Sequence, residues 1–136
     1  MNDNHYQQNL YMKINLTITG CMGRMGQQLI KSSNKNKIFK IVSLTENFKI
    51  NKKINNILPE FNNVNSFKKT NVIIDFTVPK CTLEVLKIAA KLKKRVVIGT
   101  TGFTKNQESL IKKYSKKIPI LKAGNMSLGI NLLMYL

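Results

Sequence analysis

KINLTITGCMGRMG, residues 13–26, decides how this chain is read. Its first half alternates Ile14, Leu16 and Ile18 with Asn15, Thr17 and Thr19, the two-residue period of a strand. Gly20, Gly23 and Gly26 follow at once, and Met25, Leu29 and Ile30 then recur at helical spacing. A strand, a glycine turn and a helix in that order suit a bound phosphate. Gly20 would make the tight turn, Gly23 would let backbone N–H groups approach a pyrophosphate, and Gly26 would let helix and sheet pack closely. The helix amino end adds partial positive charge. The spacing is G-x-x-G-x-x-G, with Met22 where the commoner dinucleotide fingerprint has its second glycine, so the turn alone also fits a strand-to-helix connection without a ligand.

Working outward, the first helix runs to about Ser33, where Asn34 and Lys35 end it, and residues 38–44 read as a second strand. Glu46 lies just beyond that strand, 20 residues after Gly26, where a carboxylate can accept hydrogen bonds from ribose hydroxyls. A solvated surface glutamate is the plain alternative. A carboxylate there repels the 2′-phosphate of NADP unless a cation offsets it, and the following Asn47 carries no charge. Residues 47–70 are polar, rich in Asn and Lys, and are expected to hold a short helix and loops.

Val72-Ile73-Ile74 is the core of a buried strand over 71–76, and Thr77-Val78-Pro79 starts a helix on which Leu83, Leu86, Ala89 and Ala90 share a face. Asp75 is read as interacting with the start of that helix. Residues 95–99 form another β-branched run, and Gly99-Thr100-Thr101-Gly102 turns the chain. Thr104 with Gln107 makes a capping-box signature for a helix that buries Leu110, Ile111 and Tyr114. Residues 118–122 are a last strand, and an apolar helix is expected from about Ser127 to the end.

Strands alternating with helices imply parallel pairing through right-handed crossovers, so the fold class is α/β, a doubly wound parallel sheet of Rossmann type. In such sheets ligands lie outside the carboxyl ends of the strands. Four informative segments fall there: the turn from Gly20, Glu46, the Gly99 turn, and Ala123-Gly124-Asn125-Met126.

With 136 residues, 43% of them hydrophobic, the chain has the size and composition of one globular domain. Residues 1–12 lack the basic start and apolar stretch of a signal peptide; they are expected to be a disordered tail, Met12 offers an alternative start, and a cytoplasmic protein is expected. Cys21 and Cys81, 60 positions apart, form neither a metal-ligand pair nor a disulfide framework and read as free thiols, although a glycine loop and a helix start are places where a thiol pKa can fall. The one histidine, His5, lies in the tail, and no metal is expected.

The net charge of +17 invites a search for nucleic acid. Only Arg24 and Arg95 among the 23 basic residues are arginine, however, and the lysines are scattered over helix ends such as Lys31 and Lys35, Lys91 and Lys93, and Lys112 and Lys113, where they complement helix dipoles. With Asn and Ile they reflect AT-rich codons. A basic nucleic-acid-binding protein is thus a minor rival, and a dinucleotide-binding or interaction module without chemistry is another.

With these residues in place the chain resembles the amino-terminal domain of the dihydrodipicolinate reductases, also called 4-hydroxy-tetrahydrodipicolinate reductases, of the diaminopimelate and lysine pathway. The resemblance spans residues 13–136. It rests on the turn from Gly20 to Gly26, on Ile74-Asp75-Phe76-Thr77 followed by Pro79, on Val97-Ile98-Gly99-Thr100-Thr101-Gly102-Phe103, and on the segment from Ala123 to Asn131.

The resemblance implies that Gly20, Cys21, Met22, Gly23, Arg24 and Met25 wrap a cofactor pyrophosphate and that Glu46 holds the adenosine ribose. It implies that Gly99, Thr100 and Thr101, with Ala123, Gly124, Asn125 and Met126, border the nicotinamide, with Phe76 and Thr77 nearby. Members often carry a basic residue directly after this glutamate to bind the NADP phosphate; Asn47 departs from that and favours NADH, with NADPH as the second possibility. Met126 stands where Phe is usual and Cys21 where Ala is common.

Members are roughly twice as long, and their substrate domain carries a His-His pair, a nearby lysine and a Pro-Ser-Gly-Thr segment. None of these occurs in the 136 residues. The implied reaction is hydride transfer from NAD(P)H to a cyclic imine-type substrate with protonation by the histidine-lysine element. The expectation is therefore a dinucleotide-binding domain over 13–126 and, over 127–136, the start of a helix leading toward a second domain outside this chain. Such a chain would bind cofactor, have no catalytic residue of its own and be inactive alone. Members are homotetramers that assemble largely through that second domain, so this chain alone is not expected to form the tetramer.

Overall fold

The computed structural model describes residues 13–123. The strands are β1 (Ile14–Thr19), β2 (Phe39–Thr45), β3 (Val72–Asp75), β4 (Arg95–Ile98) and β5 (Ile120–Lys122). The helices are α1 (Arg24–Asn34), α2 (Val64–Phe67), α3 (Pro79–Leu92) and α4 (Lys105–Ser115). The sheet order is β2-β1-β3-β4-β5 and every pair is parallel. The chain steps from β1 outward to β2 and returns across it to β3, so the winding reverses between β1 and β3.

Outside β2, Glu60 makes a parallel bridge to Thr45: its amide donates to the Leu44 carbonyl at 3.0 Å, and the Glu46 amide donates to its carbonyl at 2.9 Å. That bridge occupies the third-strand place in the Rossmann order 3-2-1-4-5-6. The doubly wound Rossmann-type sheet expected from the sequence is what the chain forms.

Both faces of the sheet are covered. α1 lays Leu29 and Ile30 on one face against Leu16, Ile18 and Ile74; α3 and α4 lay Val85, Leu86, Ala89 and Ile111 on the other against Ile73, Val96 and Ile98. The polar face expected of β1 is therefore buried too, and Thr17 and Thr19 are fully enclosed. β1 and β2 shift register after Leu16, where Val42 is passed over without a partner on β1.

Leu110, expected in the core, is 41% exposed. It lies one residue, about 100°, around the helix from the buried Ile111, and a helix of 11 residues, about three turns, buries one narrow stripe against the sheet. On α3 the stripe likewise centres on Val85, Leu86 and Ala89, with Leu83 and Ala90 at its margins.

The helix ends follow their residues. Thr104 and Gln107 form the expected capping box: the Thr104 side chain accepts from the Gln107 amide at 3.2 Å, and the Gln107 side chain accepts from the Thr104 amide at 2.8 Å. Asn63 and Ser66 do the same for α2. α1 differs, because its N-cap is Gly23 and no side chain caps its first turn. Within 47–63, Asn55 and Asn56 both have positive φ and close a tight turn between Ile54 and Ile57, the two-residue geometry that asparagine tolerates. No helix among the described residues is long and apolar enough to cross a membrane.

The tail, His5, Gly124, Asn125, Met126 and the expected final helix lie outside the described residues.

Candidate cofactor site

At the reversal between β1 and β3 the chain leaves the sheet through Gly20, whose φ of +63° suits glycine. The turn is tight: the Gly23 amide donates to the Gly20 carbonyl at 3.0 Å and the Cys21 amide to the Thr45 carbonyl at 3.1 Å. Gly26 sits on this turn so closely that a Cβ there would lie 2.2 Å from the Gly20 carbonyl oxygen and 2.8 Å from the Cys21 Cα. The packing role read for Gly26 is thus literal. α1 starts against the turn, and its uncapped first-turn amides face the carboxyl ends of the strands.

Glu46, half-buried just after β2, reaches back to this turn. Its Oε2 accepts from the Met22 amide at 3.0 Å and its Oε1 from the Asn47 amide at 3.0 Å. A cleft of about 220 Å³ opens there, bordered by Gly20, Gly23, Glu46, Asn62, Thr77 and Cys81. No lysine or arginine is among the described residues that line it.

The Cys21 side chain is fully buried in the core. Burial, and then the charge of Glu46, push its thiol up to about 11. Burial, followed by Asp75, also raises the Cys81 thiol. Neither thiol gains the lowered pKa that its position in a glycine loop or at a helix start allows, because removal from water and nearby carboxylates outweigh the local dipoles. Both cysteines are free.

The Gly99 turn lies across β3. Phe76 stands between it and the cleft, with ring atoms where a Gly99 Cβ would come within 1.9 Å. Thr100, Thr101, Phe103 and Ala123 border a second depression of about 260 Å³, closed by Lys122 and Glu108, which form an ion pair at 2.8 Å. The expected residues therefore divide. Gly20, Gly23 and Glu46 share one cleft, with Phe76 and Thr77 on its wall; Thr100, Thr101 and Ala123 lie beyond Phe76 on the same edge of the sheet.

Two features escape a linear reading. The Asn62 side-chain oxygen is buried at the cleft with no hydrogen-bond partner among the described residues. The bridge at Glu60 returns that stretch of chain to the end of β2. Asp75 is completely buried, and its carboxylate accepts four threonine hydroxyls: Oδ1 from Thr19 at 2.6 Å and Thr77 at 2.8 Å, Oδ2 from Thr100 at 3.0 Å and from Thr82. Threonines at or just after the ends of β1, β3 and β4 were the available signal.

A nicotinamide dinucleotide fits these residues. Gly20 and Gly23 line the cleft without side chains, the first-turn amides of α1 can hold an anion, Glu46 offers acceptors, and the Asn62 oxygen has no partner among the described residues of the same cleft. No group of three or more His, Cys, Asp or Glu arranged to hold a metal ion occurs among the described residues.

The pattern of the family described as dihydrodipicolinate reductase, N-terminus, matches residues 14–126. The chain belongs to that family. A 4-hydroxy-tetrahydrodipicolinate reductase of Pelagibacter ubique is 72% identical over 124 residues, which cover 91% of this chain and 48% of the relative. The chain spans about half the length of the curated relatives it matches. Among solved structures, a dipicolinate-bound dihydrodipicolinate reductase from Paenisporosarcina sp. TG-14 aligns with a TM-score of 0.69 at 26% identity, covering 84% of this chain and 48% of that one. A homoserine dehydrogenase from S. aureus, 16% identical over 82% of this chain and 32% of its own, aligns with a TM-score of 0.67 and shares the fold. The family carries the nucleotide-binding Rossmann domain of a reductase, as the sequence resemblance implied.

Proposed function

We propose that residues 13–126 are the NAD(P)H-binding domain of a 4-hydroxy-tetrahydrodipicolinate reductase, which reduces 4-hydroxy-tetrahydrodipicolinate to tetrahydrodipicolinate in lysine and diaminopimelate biosynthesis. The observation that carries the reading is the Glu46 carboxylate bonded to the Met22 amide of the glycine turn, in a cleft that belongs to this family's matched region.

In this reading the first-turn amides of α1 bind the pyrophosphate, Glu46 accepts the adenosine ribose hydroxyls, and Asn62 supplies a further acceptor at the adenosine end. The Gly99–Thr101 turn and Ala123, with Gly124, Asn125 and Met126, border the nicotinamide, and Phe76 separates the two ends. When bound, the dihydronicotinamide supplies a hydride. The chain's own residues hold and orient the donor; the His-His and Pro-Ser-Gly-Thr elements, which would protonate and grip the acceptor, do not occur in the 136 residues. The role read for residues 13–126 is cofactor binding, and absence of turnover by the 136 residues is the outcome this proposal expects.

NADH is the preferred cofactor in this proposal. Glu46 and Asn47 border the cleft and no lysine or arginine is among its described lining residues, so a 2′-phosphate there would face a carboxylate. Calorimetric titration of the chain with NADH and with NADPH tests this. Saturable NADH binding that is tighter than NADPH binding is expected; folded chain that binds neither at millimolar concentration refutes the reading. Substrate-dependent NADH oxidation by the purified chain would overturn the inactivity.

A further inference from the structure

Asp75 is buried at the end of β3 with no cation bonded to it among the described residues, an arrangement that costs stability unless the carboxylate is fully hydrogen-bonded. Four hydroxyls from four places supply the bonds: Thr19 at the end of β1, Thr77 before α3, Thr82 in the first turn of α3, and Thr100 after β4. A carboxylate only accepts, so each hydroxyl must aim its hydrogen inward.

Thr100 has a second bond. Its Oγ1 accepts from the Thr77 amide at 2.9 Å while donating to Asp75 Oδ2 at 3.0 Å. Its hydroxyl is thereby used in both directions and its side chain is buried, whereas Thr101 is exposed. The Asp75 carbonyl also accepts the Gly99 amide at 2.8 Å, so one residue anchors the turn by main chain and side chain together.

We propose that Asp75 is the positioning residue of this site: through Thr100 and Thr77 it fixes the Gly99–Thr101 turn, so that the turn backbone and Thr101, not the Thr100 side chain, face the nicotinamide. The proposal deepens the cofactor-binding reading above and rests on it for the identity of the ligand. The two carboxylate oxygens divide the task. Oδ1 serves Thr19, next to the glycine turn, and Thr77; Oδ2 serves Thr82 and Thr100. Loss of the Thr100 bonds therefore disturbs the nicotinamide end and leaves the adenosine end in place.

The test uses Thr100→Val, which keeps the shape and removes both Thr100 bonds, Thr100→Ser, which keeps the hydroxyl, and Asp75→Asn, which turns one acceptor into a donor. NADH and ADP-ribose, which lacks the nicotinamide, are titrated into each chain, and amide exchange is read at residues 77 and 99–102 without ligand. For Thr100→Val the expected result is a loss of NADH affinity of about tenfold with ADP-ribose weakened by less than about twofold. Faster exchange at Thr77 should accompany it, and Thr100→Ser should recover both. Asp75→Asn should move the same readouts in the same direction. Unchanged NADH affinity, or equal weakening of both ligands, overturns the proposal. Should the unaltered chain bind no NADH, the functional reading falls and the exchange data alone judge the network: protection at 77 and 99–102 retained in Thr100→Val overturns it, and protection lost and restored by Ser supports it.

Discussion

The Glu46 Oε2 accepts the Met22 amide proton at 3.0 Å, which ties the end of β2 to the turn that leaves β1. One carboxylate thus braces the glycine turn and presents its remaining acceptor capacity to the cleft. Glu46→Gln keeps the size but places a donor where one of two amides now donates. NADH affinity is expected to fall by about tenfold, the scale of one hydrogen bond to a charged group, and NADPH affinity to fall less because the repelling charge is gone. Fluorescence titration with both nucleotides reads this; unchanged constants would remove Glu46 from the ribose site.

At Gly26 two effects oppose each other. Alanine in a helix interior is favoured over glycine by about 1 kcal/mol. Here its Cβ would lie 2.2 Å from the Gly20 carbonyl oxygen and 2.8 Å from the Cys21 Cα, both backbone atoms held by β1 and the turn. Overpacking costs of about 1–3 kcal/mol exceed the gain, so Gly26→Ala should lower the thermal midpoint. A raised midpoint in circular dichroism melts would contradict the close packing.

Lys93 ends α3 in the left-handed region with φ of 56°. A side chain there costs roughly 1–2 kcal/mol, partly offset by the extra unfolded-state entropy of glycine. Lys93→Gly is expected to stabilise the chain by about 0.5–1 kcal/mol. Urea unfolding with an unchanged slope and a higher midpoint is the confirming result, and a lower midpoint the refuting one.

Cys21 makes stability depend on pH in the alkaline range. Its thiol rises from 9.0 to about 11 on folding, first through burial and then through Glu46. The folded state favours the neutral thiol, so the contribution is complete below pH 9.0 and is lost progressively up to about pH 11. The stability of the natural chain relative to Cys21→Ala should be constant from pH 7 to 9 and then decline. Parallel unfolding curves across the whole range would show that the buried thiol is not linked to folding.

The strands and helices were legible because each carries a local pattern: alternation in β1, β-branched runs in β3 and β4, and the Thr104 and Gln107 cap of α4. The glycine turn and Glu46 were legible for a similar reason, since residue types and their spacing encode a turn and a carboxylate at a strand end. Leu110 was misread because a helical pattern identifies an apolar arc but not the degree at which the sheet cuts it. The stretch 47–63 gave little signal. Its form depends on the Asn55-Asn56 turn and on one bridge from Glu60 to Thr45, and that bridge brings Asn62 to the cleft.

Sequence alone was enough for the fold class, the family and the residues at the strand ends, because those follow from periodicity and short-range spacing along the chain. Tertiary structure decided how those residues are used. It buried Cys21 and Thr100, left Thr101 exposed, and placed Phe76 between the glycine cleft and the Gly99 turn. It also gathered Thr19, Thr77, Thr82 and Thr100 around Asp75. Hydrogen bonds between residues up to 56 positions apart exist only once parallel strands bring their carboxyl ends to one edge, and no local pattern records which hydroxyl will point inward.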